Sequence, residues 1–180
     1  MTIFLDRDGV INRKRPEDDY VKRWEEFEFL PGALEGIRRL SARAARLIIV
    51  TNQRGIARGR MTEQDLAEIH ARMLDAIRAA GGHIDAIYHC PHEEGACQCR
   101  KPRTGLFEHA SRDFPEIDFP GSLAVGDSLS DLEAAARLGC PAVLIAGETR
   151  REAILTEVRR RGLPEPRAAA SLLEFSRLLA

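Results

Sequence analysis

Residues 4–10 read Phe-Leu-Asp-Arg-Asp-Gly-Val, and they place two carboxylates directly after an apolar stretch that predicts a β-strand. Side chains two positions apart point the same way in an extended chain, so Asp6 and Asp8 can address one reacting centre. Two close carboxylates repel each other unless a cation lies between them, and a hard ion such as Mg²⁺ prefers oxygen ligands. Taken alone, the pattern also fits a calcium loop or an ordinary turn.

Polar residues follow two further apolar runs in the same manner. Residues 47–50 precede Thr51, and residues 123–125 with one glycine precede Asp127. Helix and strand signals alternate along the chain, which predicts a doubly wound three-layer α/β sandwich with a mainly parallel central sheet. Ligands bind at the carboxyl ends of the strands in open parallel sheets, so we expect Asp6, Thr51 and Asp127 to converge at one edge.

Local signals define several other elements. A further strand is predicted over residues 84–88, and a strongly basic, exposed helix over residues 151–161. Capping boxes, in which a hydroxyl and a carboxylate satisfy the first turn of a helix, are predicted for the pairs Thr62–Asp65 and Ser171–Glu174.

Length and charge limit the kinds of protein that this chain can be. Its 180 residues suit one domain over residues 1–180. The 27 basic and 28 acidic side chains give a formal net charge of −1 at pH 7, which provides no basic footprint for nucleic-acid binding. No apolar stretch reaches the length of a membrane span, and the N-terminus lacks a signal-peptide pattern. We therefore expect a cytoplasmic protein without nucleic-acid or membrane partners. A monomer is expected, although no sequence pattern addresses oligomeric state.

Three of the four cysteines cluster around one histidine. Cys90, His92, Cys97 and Cys99 lie within a single short loop, whereas Cys140 stands apart. Thiolates and imidazole are the ligands that tetrahedral Zn²⁺ prefers, and four of them leave no open position. The pattern therefore predicts a structural zinc-binding loop. The alternative is a set of buried thiols beside a surface histidine.

Four motifs occur in a fixed order: Asp-x-Asp at residues 6–8, a strand-end Thr51, Lys101, and Gly-Asp-x-x-x-Asp at residues 126–131. In this order they resemble the motifs of the haloacid-dehalogenase-like (HAD-like) phosphatases. Taken alone, Thr51, Lys101 and Asp131 also have ordinary structural explanations: a strand end, a solvated lysine and an aspartate at a helix N-terminus.

The resemblance implies a role for each motif residue. Asp6 is the nucleophile that forms an aspartyl-phosphate, and Asp8 is the general acid and base. Mg²⁺ is held by Asp6, Asp127 and the backbone carbonyl of Asp8. Thr51 and Lys101 bind the transferring phosphoryl oxygens. Asp131 orients Lys101 or the waters of the metal.

The cysteine loop narrows the resemblance. Cys-x-His followed by Cys-x-Cys-Arg-Lys-Pro is similar to the heptose-bisphosphate phosphatases and to the histidinol-phosphate phosphatases, which lack a large cap domain. Three stretches favour the heptose group: residues 24–32, 51–59 and 87–92. Two features depart from it, because the spacer between His92 and Cys97 is short and Ser128 stands where many heptose members carry lysine.

The implied reaction is Mg²⁺-dependent hydrolysis of the 7-phosphate of D-glycero-D-manno-heptose 1,7-bisphosphate, a small phosphorylated sugar. Histidinol-phosphate hydrolysis is the nearest alternative. A zinc-stabilised binding module without catalysis and a phosphotransferase are more distant ones.

A doubly phosphorylated substrate needs a second anion site. Arg100 is the best candidate, because a guanidinium can hold a phosphate with two hydrogen bonds. The resemblance also implies substrate contacts from the segment of residues 14–17, from the turn of residues 52–54 and from the last motif. These residues are Lys14, Arg15, Asn52, Gln53, Arg54 and Ser128. The exposed basic residues Lys14 and Arg15 also fit simple solvated surface.

Overall fold

The computed structural model describes residues 1–16 and 19–179; Glu17, part of the predicted substrate segment, lies outside the described residues. Strands and helices alternate along nearly the whole chain. The strands are β1 (Thr2–Leu5), β2 (Arg46–Asn52), β3 (Ala86–Cys90), β4 (Leu123–Gly126), β5 (Ala142–Ile145) and β6 (Arg167–Ala169). The helices are α1 (Ala33–Ser41), α2 (Glu63–Ala79), α3 (Gly105–Asp113), α4 (Leu129–Arg137), α5 (Glu148–Arg160) and α6 (Leu172–Leu178), with a 3₁₀ turn over Trp24–Glu26.

The six strands form one sheet in the order β3-β2-β1-β4-β5-β6, and every pair is parallel. β1 lies in the middle, where Ile3 pairs with Leu47 of β2 on one side and with Leu123 of β4 on the other. The chain first builds outward from β1 to β3 and then returns to β4. The strand order therefore reverses between β1 and β4, which is where such sheets form a ligand-binding crevice.

Helices cover both faces of the sheet, as the alternation of signals predicts. Ile3 and Leu5 of β1 belong to an apolar cluster with residues of α1, α2 and α6. Phe4 points to the opposite side, where its ring meets Phe107 of α3 edge-on at 5.0 Å. Burial on both faces explains why the central strands are apolar at successive positions. Each fully buried side chain of this kind contributes about 1.5–3 kcal/mol of transfer free energy.

Several local predictions are confirmed and others need correction. The Thr62–Asp65 capping box is present. At α6, Ser171 accepts a hydrogen bond from the Glu174 amide as predicted, but the Glu174 carboxylate accepts from the Ala170 amide instead of returning to Ser171.

Two strands differ from the prediction. β3 begins at Ala86, two residues later than expected, because the carboxylate of Asp85 accepts the Leu47 amide at 2.8 Å and the ladder starts beyond it. β6 is absent from the prediction, since its three residues, Arg-Ala-Ala, carry no β-branched side chain. Among the described residues, no helix combines the length and apolarity needed to cross a bilayer.

Candidate active site

The residues that follow β1 and β4 converge as predicted, together with a lysine from a loop. Carboxylate oxygens of Asp6, Asp127 and Asp131 all lie within 4.8 Å of one another. The Lys101 ammonium lies between two of these carboxylates, 2.9 Å from Asp6 Oδ1 and 2.6 Å from Asp131 Oδ1. The Asp6 amide donates to the carbonyl of Val125 at 2.8 Å, which joins the ends of β1 and β4 directly. Four ionisable groups are thus concentrated at the crevice.

Lys101 is buried rather than solvated. It is 4% exposed, and its ammonium also donates to the carbonyl of Val50 at 2.7 Å, so all three of its protons have acceptors. Asn52 fixes its backbone with two hydrogen bonds, accepting from the Lys101 amide and donating to its carbonyl. Burial by itself lowers the pKa of Lys101, but the charges of Asp131 and Asp6 outweigh it and raise that pKa above its usual value. The lysine therefore remains a fixed positive charge.

Asp6 lies in an environment that disfavours ionisation of its carboxyl. Burial raises the pKa of its carboxyl to about 7 despite Lys101, and the nearby Asp131, Asp127 and Asp8 add to the rise. A carboxyl in this position is fully ionised at neutral pH only if a further cation approaches it. The site therefore has a physical requirement for positive charge beside Asp6.

Asp127 is likewise placed beside positively charged side chains. Its carboxylate is fully buried, yet it accepts hydrogen bonds from two half-exposed cationic side chains, Lys14 at 3.1 Å and Arg150 at 2.7 Å. Gly9 has a positive φ of 92°, and a Cβ at that position would collide with the Asp127 carboxylate. The glycine after Asp-x-Asp is therefore needed for close approach of the first and last motifs.

Asp131 is less available as a metal ligand than the other two carboxylates. Its Oδ1 is held by Lys101, and its Oδ2 accepts from both the amide and the hydroxyl of Ser128. Ser128, predicted to contact substrate, thus directs its hydroxyl to Asp131. Asp6 and Asp127 remain as the carboxylates suited to a hard divalent ion, because Mg²⁺ prefers closely spaced carboxylate oxygens as ligands.

Asp8 is surrounded by hydrogen-bond donors. Arg7 donates to both of its oxygens at 3.0 Å, Asn12 donates at 2.9 Å and Gln53 at 2.8 Å. Burial alone would raise the pKa of Asp8, but the Arg7 charge and the hydrogen bonds from Asn12, Arg7 and Gln53 outweigh it and hold that pKa below its usual value. The same Gln53 amide donates to the Thr51 hydroxyl at 2.9 Å, so Thr51 and Asp8 share one partner.

Two cavities open beside these groups and share Asn52. The larger, of about 470 Å³, is bordered by Asp8 and by most of the predicted substrate residues: Lys14, Arg15, Asn52, Gln53 and Arg54. The smaller, of about 410 Å³, is bordered by Arg100 and Lys101. Arg15 pairs with Asp19, and Arg54 contacts Tyr20 and Glu93. Arg100 is half-buried, and its Nη1 has no hydrogen-bond partner within residues 1–16 and 19–179.

Three positioning groups of this site were not predicted from the sequence: Arg7, Asn12 and Arg150. Arg7 carried the one available signal, because a charged residue at the end of a buried strand needs buried partners.

The cysteine loop is compact enough to enclose a metal ion. The sulfurs of Cys90, Cys97 and Cys99 are 3.2–3.5 Å apart, and His92 Nδ1 lies 3.3 Å from the Cys99 sulfur. Sulfurs around a tetrahedral zinc lie about 3.8 Å apart, given Zn–S bonds of about 2.3 Å. Four donor atoms thus surround a common centre at nearly the required spacing.

The loop is also tied to the site. The amides of Gln53 and Ala57 donate to the carbonyls of Cys90 and Pro91 respectively, at 2.8 and 3.1 Å. Arg100 and Lys101 follow Cys99 directly in the chain. The loop therefore connects the segment of Gln53, which borders the larger cavity, to Arg100 and Lys101, which border the smaller one.

Comparison with known proteins agrees with this geometry. A family model described as HAD-hydrolase-like matches residues 98–171. A D-glycero-beta-D-manno-heptose-1,7-bisphosphate 7-phosphatase of Bordetella bronchiseptica is 41% identical over 164 residues, covering 91% of this chain and 88% of that protein. A D-glycero-alpha-D-manno-heptose-1,7-bisphosphate 7-phosphatase of Mycobacterium tuberculosis is 43% identical over 151 residues, covering 81% of this chain and 79% of that protein.

A crystal structure of the D,D-heptose 1,7-bisphosphate phosphatase from B. bronchiseptica, complexed with magnesium and phosphate, superposes with a TM-score of 0.88. It shares 39% identity and covers 99% of this chain and 97% of that one. The resemblance inferred from the ordered motifs is confirmed. Sequence, fold and the converging carboxylates together show that the chain belongs, within the HAD-like hydrolases, to the heptose-1,7-bisphosphate 7-phosphatase family, whose members are phosphoric monoester hydrolases.

Proposed function

We propose that this protein is a Mg²⁺-dependent phosphatase that removes the 7-phosphate of D-glycero-D-manno-heptose 1,7-bisphosphate and leaves heptose 1-phosphate. The observation that carries the proposal is the convergence of Asp6, Lys101 and Asp127 at the β1–β4 crevice, in a chain 41% identical to a relative of that name. The relatives do not favour histidinol phosphate as the substrate. They divide between the α and β anomers at similar identity, so both anomers belong in any assay.

In the first step, a carboxylate oxygen of Asp6 attacks phosphorus and forms an O–P bond while the bond from phosphorus to the sugar oxygen breaks. The bonding pair leaves with that oxygen, and Asp8 gives it a proton. In the second step, Asp8 takes a proton from water, which attacks the aspartyl-phosphate and releases inorganic phosphate. Lys101 and Thr51 hold the phosphoryl oxygens through both steps.

The pKa of Asp8 suits these two roles in turn. The hydrogen bonds from Arg7, Asn12 and Gln53 favour an ionised Asp8 in the free site, which is the form that accepts a proton from water. An incoming phosphate adds negative charge, which raises the pKa of a neighbouring carboxyl and favours the protonated form needed by the leaving oxygen.

Asp6, Asp127 and the backbone carbonyl of Asp8 would hold Mg²⁺. When bound, the ion supplies positive charge that lets an anionic carboxylate approach an anionic phosphate. Lys14 and Arg150 contact Asp127 and are both half-exposed, and Lys14 also borders the larger cavity, where it would reach a phosphate of the substrate. Lys14 is thereby a substrate contact in this proposal.

Cys90, His92, Cys97 and Cys99 would hold a structural Zn²⁺ that fixes the loop carrying Arg100 and Lys101. Arg100 would receive the second phosphate of the substrate in the smaller cavity, assisted from the larger one by Arg15, Asn52, Gln53 and Arg54. Ser128 and Asp131 would act through Lys101.

Residues 1–180 would work as one capless domain, as a monomer, without nucleic-acid or membrane partners. The cytoplasm is the proposed location, because its reducing conditions keep thiols available as metal ligands.

The experiment is a comparison of kcat/KM for both anomers of the heptose bisphosphate with histidinol phosphate, using phosphorus NMR to identify the group released. We expect loss of the 7-phosphate, at least about 100-fold faster than histidinol phosphate is hydrolysed, since the second anion site contributes about 3 kcal/mol or more. The variant Asp6→Asn keeps the shape of the site and serves as the inactive control. Release of the 1-phosphate, or an active Asp6→Asn variant, would contradict the proposal.

A further inference from the structure

Behind Asp8, a series of buried hydrogen bonds leads through Arg7 to a side chain of helix α2. Arg7 is 1% exposed, and its Nη2 donates to both Asp8 oxygens and, at 3.2 Å, to the side-chain oxygen Oε1 of Gln53. Its other terminal nitrogen, Nη1, lies 3.2 Å from Nε2 of His70. His70 belongs to α2, is 8% exposed and lies 63 residues from Arg7 in sequence.

The direction of the Arg7–His70 contact follows from its chemistry. A guanidinium has only donors, so Nε2 of His70 must accept and the ring proton must lie on Nδ1. A neutral ring agrees with its surroundings, because burial, Arg7 and His89 together lower the pKa of His70 to about 3. His70 thus remains an acceptor throughout the ordinary pH range.

Arg7 depends on this acceptor for its placement. Its Nε is buried and has no hydrogen-bond partner among the described residues. Asp8, Gln53 and His70 are therefore the acceptors that determine where the guanidinium lies. Without His70, Nη1 would be buried with nothing to accept its protons, and the guanidinium would turn or draw in water.

A displaced Arg7 would release Asp8. The Nη2 nitrogen lies 3.0 Å from both Asp8 oxygens, so a movement of the guanidinium would change both of these hydrogen bonds and let the carboxylate turn. Proton transfer to a leaving oxygen depends on that orientation, since a shift of a fraction of an ångström lengthens the transfer distance.

We propose that His70 is a positioning residue that acts through Arg7 to hold the Asp8 carboxyl in line with the leaving oxygen of the substrate. The inference rests on the proposed function, because it takes Asp8 as the acid of a phosphate-ester hydrolysis. The proton moves from Asp8 to the sugar oxygen as the bond from phosphorus to that oxygen breaks. His70 neither gains nor loses a proton in this step.

The test compares two leaving groups in variants at position 70. His70→Leu and His70→Asn remove the acceptor at the Nε2 position, whereas the longer side chain of His70→Gln returns a carbonyl oxygen to it. The heptose 7-phosphate ester leaves as a basic alkoxide that needs the proton of Asp8. The phenolate of p-nitrophenyl phosphate leaves without one, so its release does not depend on Asp8.

In the presence of Mg²⁺, we expect kcat for the heptose bisphosphate to fall about 10-fold or more in the Leu and Asn variants, a part of the usual benefit of general acid catalysis. The burst of p-nitrophenolate and the KM of both substrates should change by less than about 3-fold, and the Gln variant should regain most of the lost kcat. Ile69→Val, which loosens the packing of the same helix but leaves the His70 acceptor in place, should affect both substrates equally.

An equal loss in kcat for the heptose bisphosphate and in the burst of p-nitrophenolate would overturn the inference. A His70→Gln variant whose kcat for the bisphosphate is no higher than that of His70→Asn would overturn it too. If the Leu variant does not fold, the Gln and Asn pair decides the outcome. Failure of the proposed function has a different signature, because the unaltered protein would then not release the 7-phosphate, or Asp6→Asn would still release it, whatever residue occupies position 70.

Discussion

Asp6 and Asp8 lie two residues apart, yet their surroundings shift the pKa of the two carboxyls in opposite directions. Around Asp6, burial and the neighbouring carboxylates prevail over Lys101 and raise its pKa to about 7. Around Asp8, the Arg7 charge and three sets of hydrogen bonds overcome burial and lower its pKa. One carboxyl is left short of positive charge, and the other is fully satisfied by the protein.

This difference supports the separate roles that the proposed reaction gives to the two carboxylates of one strand end. In the proposed reaction a divalent cation would meet the deficit at Asp6, whereas the donors around Asp8 would fix its orientation for proton transfer. Pairs of carboxyls whose environments separate their pKa values in this way are typical of acid–base and nucleophilic roles in one site.

The largest expected effect comes from removing the lysine that contacts Asp6. Lys101→Met keeps the length of the side chain but leaves Asp6 and Asp131 without their shared ammonium. We expect kcat/KM for the bisphosphate to fall at least about 10³-fold, because the phosphoryl oxygens lose a fixed charge in a water-poor site.

The matched control for this change is Lys22→Met, which removes a lysine that forms ion pairs at the surface with Asp19 and Glu26. Its steady-state kinetics should match those of the unaltered enzyme. A Lys101→Met variant within about 10-fold of normal activity would show that the charge deficit at Asp6 is met in another way.

A smaller effect should follow from loss of the zinc proposed for the cysteine loop, because this loop carries Arg100 and Lys101 and is hydrogen-bonded to the Gln53 backbone. Cys99→Ser replaces a soft ligand immediately before Arg100 and Lys101, so we expect less than one zinc per chain and a kcat/KM reduced about 10–100-fold. Elemental analysis and steady-state kinetics measure the two effects.

Cys140→Ser is the matched control, because Cys140 is a buried thiol outside the cluster. It should retain zinc. Full zinc content in Cys99→Ser, or equal zinc loss in both variants, would contradict the assignment of the four ligands.

The smallest expected effect concerns the Asp8 side and is a dependence of stability on pH. His70 has a pKa of about 3 in the folded protein against an ordinary value of 6.5, so the unfolded chain binds its proton first on acidification. Its stabilising effect is complete above pH 6.5 and is lost as the pH falls from there toward 3. The groups that face the ring are Arg7, His89 and Asp8, and the first two favour its neutral form.

Between pH 7 and pH 5, the unaltered protein should lose about 2 kcal/mol more of its unfolding free energy than His70→Gln does. Urea unfolding of the two proteins at both pH values measures this difference. Parallel losses in the two proteins would show that His70 is not held neutral against Arg7.

The two sides of the site also differed in how far the sequence could predict them. Asp6 and Asp127 follow apolar strands and Thr51 lies near the end of one, and the parallel topology alone brings strand ends to one edge. Lys101 and Asp131 were found through the order of motifs, which carries no information on burial. The contact between them follows from the loop after Cys99, whose path the sequence does not specify.

Arg7 and His70 had no comparable signal. They meet because α2 packs over the end of β1, and a pairing across 63 residues depends on the whole sheet. The later start of β3 and the short β6 have a similar cause. Each is decided by tertiary hydrogen bonds, such as that from Leu47 to Asp85, rather than by local propensity.

The proposed reaction depends on a covalent bond between Asp6 and phosphorus, and this bond can be trapped. The Asp8→Asn variant, mixed with p-nitrophenyl phosphate and Mg²⁺, lacks the base for hydrolysis but needs no acid to release the phenolate. After acid quenching and digestion, mass spectrometry should find phosphate accumulated on the peptide that contains Asp6, with about one group per chain at saturation. Phosphate on any other residue, or a burst of phenolate with no phosphorylated peptide, would contradict the account.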